Sequence, residues 1–432
     1  MMATGNGRLI DYDALVRDDA VHGDVYMRQD IFDEEMKRIY QRGWVYIGHQ
    51  SEIPNPGDFK RSWLGLQPVI FSRDKAGKYH VLFNRCTHRA ASICQEDWGN
   101  ANGFRCEYHG WFFRNDGELA AVPYADAYGD NFDKSRLNLR RPPRVDEYRG
   151  FVFASMSETG LSLLEHISGP AREQLDYFCD LSPEGEILVQ CGATKLAYDG
   201  NWKLQMENTI DGYHPNFTHQ SFFSSIERIT GSKPGIFKGD SLSEVRDLGM
   251  GHTNIDTRAY NRADPAVKAR LDMMKQTSWG KKYYDDLVEA HGKERAEDVL
   301  TVGGTHMNIF PNLCVLGQQV RTIRPISPDR TEVFLRPSLL KGAPDEINTM
   351  RIRQYEAFYS PHGGGIHDDV EMFNRVTEGL RCTLDPWLIF QRGLHRETVD
   401  EDGVRVGQCT DETSQRGQWR HWKSVMQEEI NT

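Results

Sequence analysis

The sequence predicts an α+β chain in two parts, a small β-rich domain followed by a larger domain whose antiparallel sheet is covered by helices. Three observations carry this. Short β-type runs broken by turn residues fill the stretch from about Trp44 to Ala154 and close on Gly150-Phe-Val-Phe-Ala154. Beyond it, helical and strand patterns alternate to the carboxyl end. The length of 432 residues is more than one core usually holds, so two units are expected.

Taken in order, residues 1–43 are expected to form an amino-terminal helical segment. In the β-rich part, Pro68-Val-Ile-Phe-Ser72 and Tyr79-His-Val-Leu-Phe83 flank a turn at Asp74-Lys-Ala-Gly77, and Trp111 to Arg114 turns at Asn115-Asp-Gly117. Leu161 to His166 and Gln174 to Phe178 read as helical, Ile187-Leu-Val189 and Ala193 to Tyr198 as strands, and Asn201 to Tyr213 as a helix. Later strands are Met307 to Phe310, Cys314 to Gly317, Val320 to Arg324 and Glu332 to Arg336, with helices over Ile347 to Phe358 and Asp368 to Leu380. Residues 222–300 are polar and poorly periodic, with helical pieces at Lys268 to Met274 and Tyr283 to Val288. A pocket lid or a plain surface insertion fits such a stretch.

Chemistry concentrates first between Cys86 and His109. The chain reads Cys-Thr-His, seventeen residues, then Cys-Glu-Tyr-His. This mixed pairing suits a Rieske 2Fe-2S cluster, in which two thiolates (Cys86, Cys106) hold one iron and two imidazoles (His88, His109) the other. A structural zinc site is the competing reading, but zinc more often groups Cys with Cys and His with His. His80 sits in an alternating strand and reads as a strand residue.

A second set lies in Glu207-Asn-Thr-Ile-Asp211-Gly-Tyr-His214-Pro-Asn-Phe-Thr-His219. Two histidines and a carboxylate are the donor set of non-haem Fe(II) oxygenases. On an unbroken helix a five-residue step would splay the two imidazoles by about 140°. Pro215 is expected to end or kink the helix near His214, so that His219 folds back. Asp211 would lie beside His214 on the last helical turn, as an outer partner or a ligand. The remaining carboxylate is sought in Ser360-Pro-His-Gly-Gly-Gly-Ile-His-Asp-Asp-Val-Glu371, where Asp368, Asp369 and Glu371 are equals by residue type and His362 or His367 compete. Acidic residues at a helix start also serve as plain caps.

At these residues the chain resembles the large (α) subunit of Rieske non-haem iron aromatic ring-hydroxylating dioxygenases. The resemblance runs from Gln41-Arg-Gly-Trp44 and Glu52-Ile-Pro-Asn-Pro-Gly57-Asp58 through Cys86-Thr-His-Arg89, Cys106-Glu-Tyr-His-Gly-Trp111, Asn201-Trp-Lys203 and Glu207-Asn208 to Phe310-Pro-Asn312 and the Asp368-Asp369 helix. It implies His214, His219 and Asp369 as ligands of a mononuclear Fe(II), beside the 2Fe-2S cluster. It implies that Asp211 bridges a cluster histidine of one subunit, matching His109, to His214 of the next. The domains would be 1–43 packing on the catalytic part, 44–155 for the Rieske domain and 156–432 for the catalytic domain. The expected activity is that of a terminal oxygenase inserting both atoms of O2 into an aromatic ring as a cis-dihydrodiol. Its electrons would come from an NAD(P)H-dependent reductase, with or without a ferredoxin. The expected assembly is a homotrimer, α3, or α3β3 with a small β subunit.

The wording Asp211-Gly-Tyr-His-Pro215 is closest to the benzoate and anthranilate branch. The naphthalene-type branch has one more residue between the equivalents of Asn208 and Asp211. A substrate carboxylate would suit Arg321, Arg324 or Arg336, although arginines on such strands are ordinarily surface residues. The rival reaction with the same ligands is a monooxygenase or demethylase; from other classes come a pure Rieske electron carrier and a zinc-stabilised module.

Bulk properties agree. With 52 basic and 63 acidic residues the net charge is -11, which argues against nucleic acid as a partner. The eight cysteines show no disulfide framework and read as reduced thiols of a cytoplasmic protein. Met1 to Arg8 lacks the apolar core of a signal peptide, and no run approaches a membrane span.

Overall fold

A computed structural model of the chain describes residues 2–3, 9–231 and 241–428. Residues 1 and 4–8, part of the stretch read for an apolar leader, and 232–240 of the 222–300 stretch lie outside them. The described residues form two units, Tyr40–Leu163 and a second made of Met1–Ile39 with Leu164–Thr432.

The smaller unit is built from short antiparallel sheets. Tyr79–Phe83, Gln67–Arg73, Asp58–Leu64 and Trp98–Asn100 pair in that order, and the turn at Asp74 to Gly77 joins the first two. Gly103–Arg105, Phe112–Arg114 and Leu119–Ala121 form a three-stranded sheet, and Arg144–Tyr148, Phe151–Ser155 and Val45–His49 another. Ile70, Leu82, Phe104, Trp111 and Phe113 make the core, with the Cys86 and Cys106 side chains packed into it.

The larger unit carries a nine-stranded antiparallel sheet in the order Thr194–Tyr198, Arg330–Pro337, Gln319–Ser327, Leu313–Leu316, His306–Ile309, Thr253–Asp256, Glu244–Asp247, Arg405–Gln408, Thr398–Val399. Strand Arg330–Pro337 shows why it forms. Thr331, Val333, Leu335 and Pro337 are buried while the residues between them are less so, the period-two pattern of a half-covered sheet. Helices Trp202–Thr209, Asp345–Tyr359, Ile366–Gly379 and Thr413–Gln427 pack on the sheet.

Three expectations need correction. The described residues of the stretch 222–300 are not irregular: the helix Gln220–Thr230 runs into it, Glu244–Asp247 and Thr253–Asp256 are inner strands of the sheet, and further helices span Arg258–Ala263, Pro265–Lys275, Ser278–His291 and Lys293–Val302. Polar composition hid them, because the helices bury only a few residues each. The helix expected from Asn201 to Tyr213 ends at Thr209. Nor does proline deflect the residue before it: His214 is in the right-handed helical region, and Pro215 opens a new helix, Pro215–Thr218, at the position proline prefers.

Residues of the amino-terminal segment hold the helix Trp202–Thr209 in place. The buried Glu35 carboxylate accepts from Trp202 Nε1 at 2.9 Å and Trp422 Nε1 at 2.7 Å and pairs with Lys203. Asn201 caps the helix by accepting from the Lys203 backbone N–H at 3.2 Å.

Candidate metal centre and its pocket

In the smaller unit, the two Cys/His pairs sit on loops with the same backbone pattern. Cys86 N–H donates to Ala91 and Ala90 N–H to Cys86; Cys106 N–H donates to Trp111 and Gly110 N–H to Cys106, all at 2.8–3.0 Å. The fifth residue of each loop, Ala90 and Gly110, has positive φ, 65° and 75°. Asn84 closes the first loop, its Oδ1 accepting from the Ile93 and Cys94 N–H groups at 2.9 Å. The cysteines are buried, at 2% and 1% exposure, whereas His88 and His109 are half-buried, with ring centroids 4.5 Å apart.

Burial raises the Cys86 thiol above its ordinary value, and the Cys106 sulfur beside it adds to this. His88 Nδ1 is buried with no hydrogen-bond partner, and its ring stacks on Trp111 at 4.8 Å. Two buried sulfurs side by side and an orphaned imidazole nitrogen are groups that fit the donor set of a mixed-ligand cluster. His80 bonds Asp74 at 2.7 Å, as a strand residue would.

The second centre lies in the larger unit and is assembled from three segments. The helix Trp202–Thr209 delivers Asn208 and stops, and Asp211 then makes a tight turn, Oδ1 accepting from the Tyr213 N–H at 2.6 Å and the His214 N–H at 3.3 Å. Gly212 is required here, since a Cβ would collide with the Cys409 carbonyl. Asp211 therefore reaches His214 from a turn and not from the last helical turn. Its Oδ2 lies 3.5 Å from His214 Nδ1. His219 follows the short helix and is buried.

Asp368 and Asp369 enter from the first turn of the helix Ile366–Gly379. Asp369 Oδ1 lies 3.6 Å from His214 Nε2 and 3.2 Å from His219 Nε2. One ligand atom from each of His214, His219 and Asp369 falls within 4.8 Å of the others. Adjacent ligands of an ion bound at about 2.1 Å sit about 3 Å apart, so the spacing fits a metal. On the far side, Asp368 Oδ2 is 3.2 Å from His219 Nδ1. Each imidazole thus has a carboxylate on its Nδ1 side: His219 Nδ1 is within hydrogen-bond distance of Asp368, whereas Asp211 stands 3.5 Å from His214 Nδ1, which forms no hydrogen bond among the described residues.

Burial opposes the Asp369 charge, yet the hydrogen bond from His219 and the charges of His214, His219 and Arg321 hold its carboxyl below the usual range. Burial likewise opposes protonation of His219, but Asp369 and Asp368 outweigh it and raise the group. Asn208 Nδ2 donates to Asp369 Oδ1 at 3.1 Å. The other candidates stand apart. Glu371 pairs with Arg375 at the surface, His367 bonds the Pro361 carbonyl at 2.9 Å, and His362 is exposed.

A cavity of about 270 Å³ opens on this centre, walled by Phe222, Phe223, Leu316 and Phe358 and reached by His306 and Arg321. Arg321 corrects the expectation of a surface arginine. It is 2% exposed, its Nε donates to Gln319 at 3.3 Å and its guanidinium lies 5.1 Å over Tyr359. Arg324 instead pairs with Glu332 at 2.7 Å, and Arg336 lies near Thr322. The aromatic wall and His306 gave no sequence signal. They come from separate elements that only the fold brings together.

Residues 43–143 match the family described as Rieske [2Fe-2S] domain, and 186–428 match the ring hydroxylating alpha subunit (catalytic domain). The chain is 36% identical over 412 residues to a 2-halobenzoate 1,2-dioxygenase large subunit of Burkholderia cepacia, covering 90% of this chain and 85% of that one. It is 34% identical over 384 residues to an anthranilate 1,2-dioxygenase large subunit of Acinetobacter baylyi, covering 87% and 80%. Among solved structures, naphthalene 1,2-dioxygenase from Rhodococcus sp. bound to indole superposes with a TM-score of 0.80 at 26% identity, covering 94% of each chain. With its Rieske domain and its mononuclear-iron catalytic domain, the chain belongs to the family of ring-hydroxylating dioxygenase large, or alpha, subunits.

Proposed function

We propose that this chain is the terminal oxygenase subunit of a multicomponent system that cis-dihydroxylates an aromatic carboxylate. The observation that carries the substrate class is Arg321. Among the described residues this buried cation forms no ion pair, although it lines the same cavity as His214, His219 and Asp369. A buried guanidinium without a carboxylate partner is costly, and a planar carboxylate satisfies it through two parallel hydrogen bonds. The names of the two benzoate-type relatives agree with that substrate class.

In this reading His214, His219 and Asp369 hold the mononuclear Fe(II), and Cys86, His88, Cys106 and His109 hold the 2Fe-2S cluster. Bound there, the iron supplies O2 activation and the cluster single-electron storage. The chain's own residues do the positioning. Arg321 orients the carboxylate so that the ring faces the centre, and Phe222, Phe223 and Phe358 exclude water from it. Asp368 accepts from His219 Nδ1, and the Asp211 carboxylate stands 3.5 Å from His214 Nδ1, so both rings would present Nε2 to the ion. Asp211 also links His214 to the cluster histidine, His109, of a neighbouring copy, which makes turnover depend on a trimer, α3 or α3β3.

The balance is one arene, one O2, two electrons and two protons giving one cis-dihydrodiol. Two C–O bonds form, the O–O bond breaks, and the electrons come from NAD(P)H through a reductase, directly or by a ferredoxin. The domain division 1–43, 44–155 and 156–432 and a cytoplasmic location belong to the same reading. The metallated chain, supplied with reductase and benzoates under labelled dioxygen, should yield a diol carrying two labelled atoms. A product with one labelled atom establishes the monooxygenase alternative instead. Arg321→Met should raise KM for benzoates by about 10-fold or more, as loss of a charge-assisted pair implies, and an unchanged KM removes the carboxylate assignment.

A further inference from the structure

His306 faces the same cavity as Arg321, and the sheet register explains why. His306 pairs with Leu316 and Arg321 with Cys314, on either side of the strand Leu313–Leu316. Leu316 and Cys314 are two residues apart, so His306 and Arg321 rise from one face of the sheet. Both line the cavity above the metal centre.

The two nitrogens of His306 have different fates. Nε2 makes a short hydrogen bond to the Thr209 carbonyl, at the end of the helix Trp202–Thr209. A carbonyl only accepts, so Nε2 carries the proton. Burial first, and then the Arg321 charge, depress the group to about 4, so the ring is neutral. Nδ1 is then a bare acceptor. Among the described residues it has no hydrogen-bond partner, and it is not among the fully buried orphan atoms. An acceptor without a partner beside a guanidinium that forms no ion pair describes the complement of the ligand.

We propose that His306 Nδ1 accepts a hydrogen bond from an N–H or O–H group ortho to the carboxylate that Arg321 holds, so that the pocket selects 2-amino- or 2-hydroxybenzoates. The inference rests on the carboxylate reading above and adds the second point of recognition. With the carboxylate on Arg321 and the ortho donor on His306, the ring has one orientation before the metal centre. An ortho substituent that only accepts, such as methoxy, meets a lone pair and is rejected.

Binding to the metallated, oxidised full chain is to be measured by isothermal titration with 2-aminobenzoate, 2-hydroxybenzoate, benzoate, 2-methylbenzoate and 2-methoxybenzoate. The first two arms separate the two donors. At least one should bind about 3- to 10-fold more tightly than 2-methylbenzoate, the value of one hydrogen bond. His306→Gln places an amide N–H where Nε2 was, keeping the bond to Thr209, and removes the acceptor. It should abolish the preference while 2-methylbenzoate binds within about twofold of wild type.

Equal affinities in the wild type, or a preference that survives His306→Gln, overturns the proposal and leaves the carboxylate reading standing. If no benzoate binds and Arg321→Met matches wild type, both fall. Should His306→Gln fail to fold, the wild-type ligand series decides alone.

Discussion

The larger unit contains two groups of histidines whose surroundings differ in one respect. His214 and His219 face carboxylates on both sides: Asp369 at Nε2, and Asp211 and Asp368 at Nδ1. His166 and His252, with His421 nearby, meet no carboxylate among the described residues, and the first two bond to backbone instead. His166 Nε2 lies 3.2 Å from the Phe310 carbonyl, His252 Nε2 is 2.7 Å from the His166 carbonyl, and His252 Nδ1 accepts from the Phe310 N–H at 3.0 Å. His421 packs edge-on against Phe310 at 5.0 Å. Burial pushes His252 down to about 4 and His421 to about 3, and lowers His166 as well. The same residue type is a candidate ligand where anions compensate a cation and a neutral spacer where only backbone groups and apolar rings surround it.

The sharpest way to break the contrast is Asp369→Ala. It should reduce mononuclear iron by about 10-fold or more and abolish turnover, while the cluster's absorption and the fold persist. Retention of iron by this variant would defeat the ligand set. Asp211→Ala comes next. Both metals should remain bound while turnover falls by about 100-fold or more, as expected of a lost outer partner and electron link. Near-normal turnover would reject its role as a relay. Asp368→Asn keeps the size of the His219 partner but not its charge. It should weaken iron binding by about 10-fold, and an unchanged affinity would show that Asp368 is only a helix cap.

The neutral group gives the smaller and opposite response. Its folded-state pKa values lie below the unfolded value of about 6.5, so the unfolded chain binds more protons as pH falls. Stability is therefore complete above about 6.5 and is lost on acidification toward 4. Between pH 7.5 and 5 the loss should be about 2 kcal/mol for each of His252 and His421. Denaturant midpoints at the two pH values check this, and a flat profile would mean that the cluster is not buried as a neutral unit. Smallest of all, Glu371→Gln should leave iron content and turnover within about twofold, since an exposed ion pair with Arg375 contributes little.

The sequence carried much of this site, and unevenly. The Cys86/His88 and Cys106/His109 pairs were readable because both ends of each loop are short-range. His214 and His219 were readable as a pair, but the turn between them was not. It depends on Asp211 capping its own backbone and on Gly212 passing under Cys409, a residue almost two hundred positions away. Residue type could not rank Asp368, Asp369 and Glu371. Rotation about the first turn of one helix does, turning Asp369 inward, Asp368 behind His219 and Glu371 to solvent. Arg321 was read as surface on the ordinary exposure of arginine, yet the strand opens with three buried residues, Gln319, Val320 and Arg321. Its burial comes from the helix Asp345–Tyr359, whose Tyr359 covers it.

The glycines before the helix Ile366–Gly379 have a further consequence. A Cβ on Gly365 would collide with the Phe358 ring, and one on Gly364 would come within 2.7 Å of Phe222. Those same rings wall the cavity. A molecule bulky enough to displace those rings would press on the turn that starts the helix carrying Asp369. The room in the cavity and the position of the Asp369 helix thus depend on one and the same glycine turn.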